Sequence, residues 1–306
     1  MSLRIVYMGT PEIARVCLER IYQDGHDIAA VYTKIDTPKN RGMKLTPPPV
    51  KVEAQAHDLP VFQPKTLRDE EVQRELEALA PELIVVAAYG KLLPKAVLEL
   101  PALGCINVHS SLLPKYRGAA PINWAILNGE EETGVTIMHM AEALDAGDII
   151  FQAATPIDRN ESVEQLHDRL AEMGAELLSK AVTALAEGTA PRMPQDESQY
   201  TYAPMLSREL SPIDWSRSAL EIHNQIRGLV PWPATTMELK GTQFKVFASL
   251  LTSETAEQPE GTVLGSDKKG IRMVCGDGRV LCITEVQAPG KKRMKAVDYL
   301  RGHPIL

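Results

Sequence analysis

Leu83-Ile84-Val85-Val86-Ala87-Ala88 is the stretch on which the fold turns. It is apolar at every position, so it has no polar face to turn toward water. A strand covered on one side alternates apolar and polar residues, whereas a continuous apolar run suits a strand covered on both faces, as in parallel sheets. The same pattern repeats outward from it. Leu3 to Met8 is a second apolar run ending at Gly9, with Thr10 placed as a helix cap and Pro11 as a first helical residue. Ile13, Val16, Cys17 and Ile21 then recur with helical spacing. Asp27 to Thr33 has the character of a strand and Glu71 to Leu79 that of a helix. Downstream, Gly104 to His109 and Thr133 to Met140 are expected as strands, and Ser162 to Ala186 as a long helix. This alternation predicts an α/β fold: a Rossmann-like open, mostly parallel sheet with helices on both faces.

The pattern changes after the long helix. Pro191, Pro194 and Pro204 punctuate a polar stretch containing Gln195-Asp196-Glu197-Ser198-Gln199, which is linker composition. Beyond it, Ala219 to Val230 is expected as a helix. Short strands follow at Ala234–Leu239, Gln243–Leu250, Gly261–Leu264, Ile271–Cys275 and Val280–Val286. Several short strands in so few residues predict a small OB-like β-barrel. The expected domains are therefore 1–189, a linker over 190–208, and 209–306.

Composition excludes several classes. The chain has 306 residues, 44% of them hydrophobic and 24% charged, as in a globular protein. No apolar run approaches the ~20 residues that span a bilayer, and the N-terminus lacks a signal-peptide pattern. Cys17, Cys105, Cys275 and Cys282 form no CxxC and no ligand spacing, so neither a disulfide framework nor a metal site is expected, and the cytoplasm is the default compartment. The net charge of −7 argues against a generally sticky nucleic-acid binder. The charge is uneven, however: residues 209–306 carry 13 basic against 11 acidic side chains, and residues 1–208 carry 20 against 29.

Two features point to chemistry. Lys34 to Val50 reads as a long loop with Pro47-Pro48-Pro49 and the cations Lys39, Arg41 and Lys44, either a solvated loop or a contact for phosphates. Asn107-Val108-His109 closes a parallel strand. Residues i and i+2 share a face, so the amide and the imidazole project together at the end where open α/β sheets bind ligands. Leu144-Asp145-Ala146-Gly147-Asp148 adds carboxylates in a turn. An amide, an imidazole and a carboxylate are the parts of an acyl-transfer site without a covalent nucleophile. Taken singly, each is also an ordinary structural residue. Ser110 and Ser111 lie outside any GxSxG elbow. Gly9-Thr10-Pro11 is not GxGxxG, which argues against a nicotinamide oxidoreductase.

The run Asn107 to Ile122, reading NVHSSLLPKYRGAAPI, resembles the signature of the folate-dependent formyltransferases. Thr133-Gly134-Val135-Thr136-Ile137 and Leu144 to Asp148 fit the same pattern, and the resemblance covers essentially the whole chain. The Lys34–Val50 insertion, Leu229-Val230-Pro231-Trp232-Pro233-Ala234 and Gly290-Lys291-Lys292-Arg293-Met294-Lys295-Ala296 are similar to the branch acting on initiator tRNA. Ser110 stands where glycine is commoner, and Lys115-Tyr116 replaces a related basic-aromatic pair.

The resemblance implies that Asn107, His109 and Asp145 are catalytic. It places tetrahydrofolate against Ser111, Leu112, Leu113 and Pro114, and its pterin against Val86, Ala87, Ala88, Tyr89 and Gly90. Arg41, flanked by Lys39 and Lys44, would meet the acceptor end of tRNA, with Lys291, Lys292, Arg293 and Lys295 as further tRNA contacts. The implied reaction moves the formyl group of 10-formyltetrahydrofolate to initiator methionyl-tRNA in a monomer that needs no metal. A small amine acceptor, water as acceptor, or a non-catalytic tRNA-binding protein on the same scaffold are the alternatives. The intact catalytic set argues against the last of these.

Overall fold

The structure, a computed structural model, describes residues 2–39 and 44–303. They form two compact units. The first comprises residues 1–118, 133–155 and 167–202; the second comprises 119–132, 156–166 and 203–306.

The first unit is built on a seven-stranded sheet. Its order is Ile149–Pro156, Glu132–His139, Cys105–His109, Leu83–Ala87, Arg4–Gly9, Asp27–Tyr32, Val61–Phe62. The five strands from Cys105–His109 to Val61–Phe62 run parallel, and Glu132–His139 runs antiparallel to Cys105–His109. All five residues of Leu83–Ala87 are buried, as the apolar run requires. Ile84 and Val86 join Val6, Met8, Tyr32 and Leu76 in one core on one face. On the other face the Tyr7 hydroxyl donates to the Ala14 carbonyl at 2.6 Å, in the helix Glu12–Gln23. Gly9 permits that approach, because a Cβ there would sit 2.7 Å from Ala14 Cβ. Each large aliphatic side chain buried this way contributes about 1.5–3 kcal/mol.

Several expectations change in detail. Thr10 caps no helix: Pro11 holds the N-cap position, and the Thr10 hydroxyl donates instead to the Tyr89 carbonyl at 3.2 Å. Lys34–Val50 is not an uninterrupted loop. Thr37–Lys39 pairs antiparallel with Lys44–Thr46, and Pro49 opens the helix Pro49–Ala56. Proline tolerates the first turn of a helix because its missing N–H has no partner there anyway. The proline-rich stretch after the long helix Val163–Ala186 is also tied down. Met193 exchanges backbone hydrogen bonds with Ile149, and Gln195 and Thr201 bond to residues of the first unit. Its polar side chains are hydrogen-bonding partners there, although their composition alone reads as linker.

The second unit contains a six-stranded antiparallel sheet, ordered Thr235–Leu239, Thr242–Thr255, Arg279–Gln287, Ile271–Val274, Val263–Ser266, with Met294–Lys295 beside Arg279–Gln287. Phe244, Val246, Ile271, Leu281 and Ile283 pack with Ile222 and Ile226 of the helix Ala219–Gly228. Ser218 and Glu221 close a capping box at that helix's start. Residues 119–132 and 156–166 belong to this unit through specific bonds. Asn123 donates to the Gly228 carbonyl at 2.7 Å, and Arg227 donates to the carbonyls of Asp158 and Glu161. Among the described residues no helix is long and apolar enough to cross a membrane.

Candidate active site

Three parallel strands end together at one edge of the sheet. Gly9 pairs with Ala87, and Ala87 with Val108. The chain leaves Arg4–Gly9 toward Asp27–Tyr32 on one side, and Leu83–Ala87 lies on the other. The crevice after Gly9 and Ala87 is therefore the point where strand order reverses, the usual ligand position in such sheets.

His109 and Asp145 meet at this edge. His109 Nδ1 lies 3.8 Å from Asp145 Oδ2, with both side chains largely buried. His109 Nε2 is 2.9 Å from the Tyr116 carbonyl oxygen, which can only accept, so Nε2 carries the proton. That leaves Nδ1 toward the carboxylate, at a separation too long for a hydrogen bond. Asn107 shares the His109 face of the strand. It is half-buried, and its amide bonds to no other described residue. The Asp145 carboxylate accepts the Gly118 N–H at 2.8 Å.

The surrounding backbone is shaped to hold this arrangement. Ala88, Tyr116 and Asp145 are non-glycine residues with φ of 44°, 62° and 50°. Each such residue costs about 1–3 kcal/mol and persists only where neighbours over-determine it. Here the neighbours are visible. Thr201 Oγ1 accepts the Tyr116 N–H at 2.8 Å, and Gln195 Nε2 donates to the carbonyls of Asp145 and Gly147, each at 2.8 Å. Gly147 must be glycine, since a Cβ would lie 1.9 Å from the His139 carbonyl. Arg117 is buried and donates to Gln195 and Glu197. Tyr116, Arg117, Gln195 and Thr201 escaped sequence reading as site residues. Tyr116 contributes through its backbone carbonyl, which leaves no residue-type signal.

The other candidate residues divide. Ser111 and Leu113 are buried, with Ser111 Oγ donating to the Lys115 carbonyl at 2.6 Å. Thr136 Oγ1 accepts the Leu113 N–H and donates to the Ser111 carbonyl, and Gln152 braces the same turn. Leu112 and Pro114 are half-buried and supply surface. Val86, Ala87 and Tyr89 are buried, while Ala88 and Gly90 are exposed at the strand end. Burial pushes the Tyr89 phenol up to about 12. Burial, then the nearby Lys34 ammonium, holds Lys91 below the usual lysine range. Arg41 lies outside the described residues, as do the side chains of Lys39 and Lys44. Lys291, Lys292 and Lys295 are exposed. Arg293 is engaged within its own unit, 2.7 Å from Glu285 and stacked 4.6 Å from the Phe247 ring centroid. Among the described residues no group of three His, Cys, Asp or Glu side chains could hold a metal ion.

Comparison with known proteins places the chain in a family. Residues 3–182 match formyl transferase, and residues 205–304 match the formyl transferase C-terminal domain. The chain belongs to the formyl transferase family. It is 48% identical over 303 residues to the methionyl-tRNA formyltransferase of Alkaliphilus oremlandii, covering 99% of this chain and 97% of that one. It is 49% identical to the methionyl-tRNA formyltransferase of Moorella thermoacetica, covering 99% and 97%. Among solved structures, WlaRD, a sugar 3N-formyl transferase with dTDP and 5-N-formyl-THF, aligns with TM-score 0.70 at 20% identity, over 95% of this chain and 100% of its own. HypX from Aquifex aeolicus in complex with tetrahydrofolic acid aligns with TM-score 0.69 at 18% identity. That alignment covers 98% of this chain but only 47% of HypX. At these identities the likeness is one of fold.

Proposed function

We propose that this formyl transferase moves the formyl group of 10-formyltetrahydrofolate to the amino group of methionine on initiator tRNA, giving N-formylmethionyl-tRNA. The observation that carries the reaction is the His109–Asp145 pair, held 3.8 Å apart, with Asn107 on the same face of the strand as His109. The acceptor rests on the name of the relatives, whose similarity runs through both the formyl transferase and the C-terminal regions.

When bound, 10-formyltetrahydrofolate supplies an activated formyl carbon. The residues at the strand ends fit it: exposed Ala88 and Gly90 and half-buried Leu112 and Pro114 offer surface, while Ser111, Leu113, Val86, Ala87 and Tyr89 hold that surface in place. As the methionine amine attacks, negative charge grows on the formyl oxygen. Asn107 donates its amide N–H to that oxygen, the electrostatic role of an oxyanion hole. His109, anchored through Nε2, keeps Nδ1 at the reacting centre, where its protonated form is a second donor. Asp145 balances that charge and accepts the proton leaving the amine, directly or through a water; the bond between the formyl carbon and the folate nitrogen then breaks, and tetrahydrofolate leaves with a proton on that nitrogen.

Residues 1–189 serve as the catalytic domain and 209–306 as the tRNA-binding domain of a cytoplasmic monomer, with residues 190–208 between them. Lys39, Arg41, Lys44, Lys291, Lys292 and Lys295 are assigned to tRNA phosphates. Arg293 contributes less to salt dependence because Glu285 already balances its charge. The test is formylation of charged initiator tRNA against charged elongator methionine tRNA. Formylation of the initiator alone is expected. Efficient formylation of a small amine with none of either tRNA would overturn the reading.

A further inference from the structure

The segment that anchors His109 and Asp145 also presents two exposed aromatic rings. Tyr200 is 54% exposed and Tyr202 is 58% exposed. Thr201 between them faces the other way: its hydroxyl accepts the Tyr116 N–H at 2.8 Å and its carbonyl accepts the Arg117 N–H at 2.9 Å. Both tyrosine rings nevertheless remain more than half exposed. Tyr116 is the residue whose carbonyl anchors His109, and Gly118 is the one whose N–H fixes Asp145. Thr201, between the rings, is thereby linked through Tyr116 to His109 and through the Arg117–Gly118 backbone to Asp145. One face of Tyr200 is covered, because the Arg117 guanidinium carbon lies 5.1 Å from its centroid. That guanidinium is itself held by Gln195 and Glu197, so the ring is backed by a fixed plane.

Tyr200 thus presents one open ring face, backed by a held guanidinium, on the segment that anchors the reacting pair. Its chemistry suits an unpaired nucleobase, which stacks on tyrosine whatever its sequence. We propose that Tyr200, flanked by Tyr202, is the stacking shelf for an unpaired base at the acceptor end of the aminoacyl-RNA substrate. This positions the aminoacyl group against His109 and Asp145. The inference rests on the RNA-acceptor reading above and adds a positioning residue to it.

The test uses the full-length enzyme and charged initiator tRNA carrying 2-aminopurine as its 3′-terminal base. Stacking quenches that fluorescence on binding. Tyr200→Ala and Tyr200→Leu are expected to raise KM for tRNA about tenfold, to lose most of the quench, and to leave the folate dissociation constant unchanged. Tyr200→Phe, which keeps the ring, should restore KM to within about twofold of the original. Tyr202→Ala should show a smaller rise in KM. Wild-type formylation with an unchanged KM and quench in Tyr200→Leu overturns the shelf and leaves the RNA reading standing. No formylation of charged tRNA by the wild type overturns both.

Discussion

His109 and His223 are both buried, and both give Nε2 to a backbone carbonyl, of Tyr116 and of Arg159 respectively. They differ at the other nitrogen. His223 Nδ1 sits 2.8 Å from the Ser249 hydroxyl, which can donate to it, so the neutral ring has all its bonds. His109 Nδ1 faces the Asp145 carboxylate across 3.8 Å. A neutral ring and a carboxylate are both acceptors there, and only a proton or a donor between them satisfies the pair. The first arrangement is closed by direct hydrogen bonds within the fold; the second leaves Nδ1 without a direct hydrogen bond to the carboxylate it faces.

The sharpest break in that comparison is kinetic. Asn107→Ala and His109→Ala should each lower turnover about 100-fold or more with folate affinity little changed, the scale for losing an oxyanion donor. Asp145→Asn should be comparably severe, since it removes the charge opposite Nδ1. Single-turnover rates with pre-bound folate check this, and near-normal rates would make His109 as structural as its counterpart.

Next comes the pH dependence of stability. Burial lowers His223 to about 4, whereas an imidazole in an unfolded chain titrates near 6.5. Its contribution is complete above pH 6.5. As pH falls toward 4, the unfolded chain takes up a proton that the folded unit refuses, and up to about 3 kcal/mol is lost. Denaturant titrations at pH 7.5 and 5 should show this loss, and His223→Gln should shrink the difference between the two. An undiminished difference would mean other groups carry it.

The smallest effect concerns the helix that carries His223. Ser218→Ala removes the capping box and should cost about 1 kcal/mol in denaturant titration, with no change in formyl transfer. A change in turnover would mean the closed site is not independent of chemistry.

Much of this was legible in the sequence. The apolar Leu83–Ala87 strand foretold a sheet covered on both faces, and the i, i+2 spacing of Asn107 and His109 foretold their shared face. Partners that act through backbone were not legible: any residue at position 116 has the carbonyl that anchors His109. The pairing of Thr37–Lys39 with Lys44–Thr46 was hidden because Pro38 and Pro47-Pro48-Pro49 signal breaks, while each strand's pairing depends on residues in the other. Nor could Ala119–Glu132 be assigned to the second unit, because that rests on Asn123 reaching Gly228, 105 positions away.

Gln195 holds the carbonyls of both Asp145 and Gly147 from a segment rich in proline and exposed polar residues. Such a segment is where proteases cut. A single nick between Pro194 and Thr201 would leave the strands and helices of each unit covalently whole. It would nevertheless loosen the strap that holds the Asp145 turn in its left-handed conformation. Inactivation by limited proteolysis would then precede unfolding, with the enzyme silenced while its cores still resist denaturant.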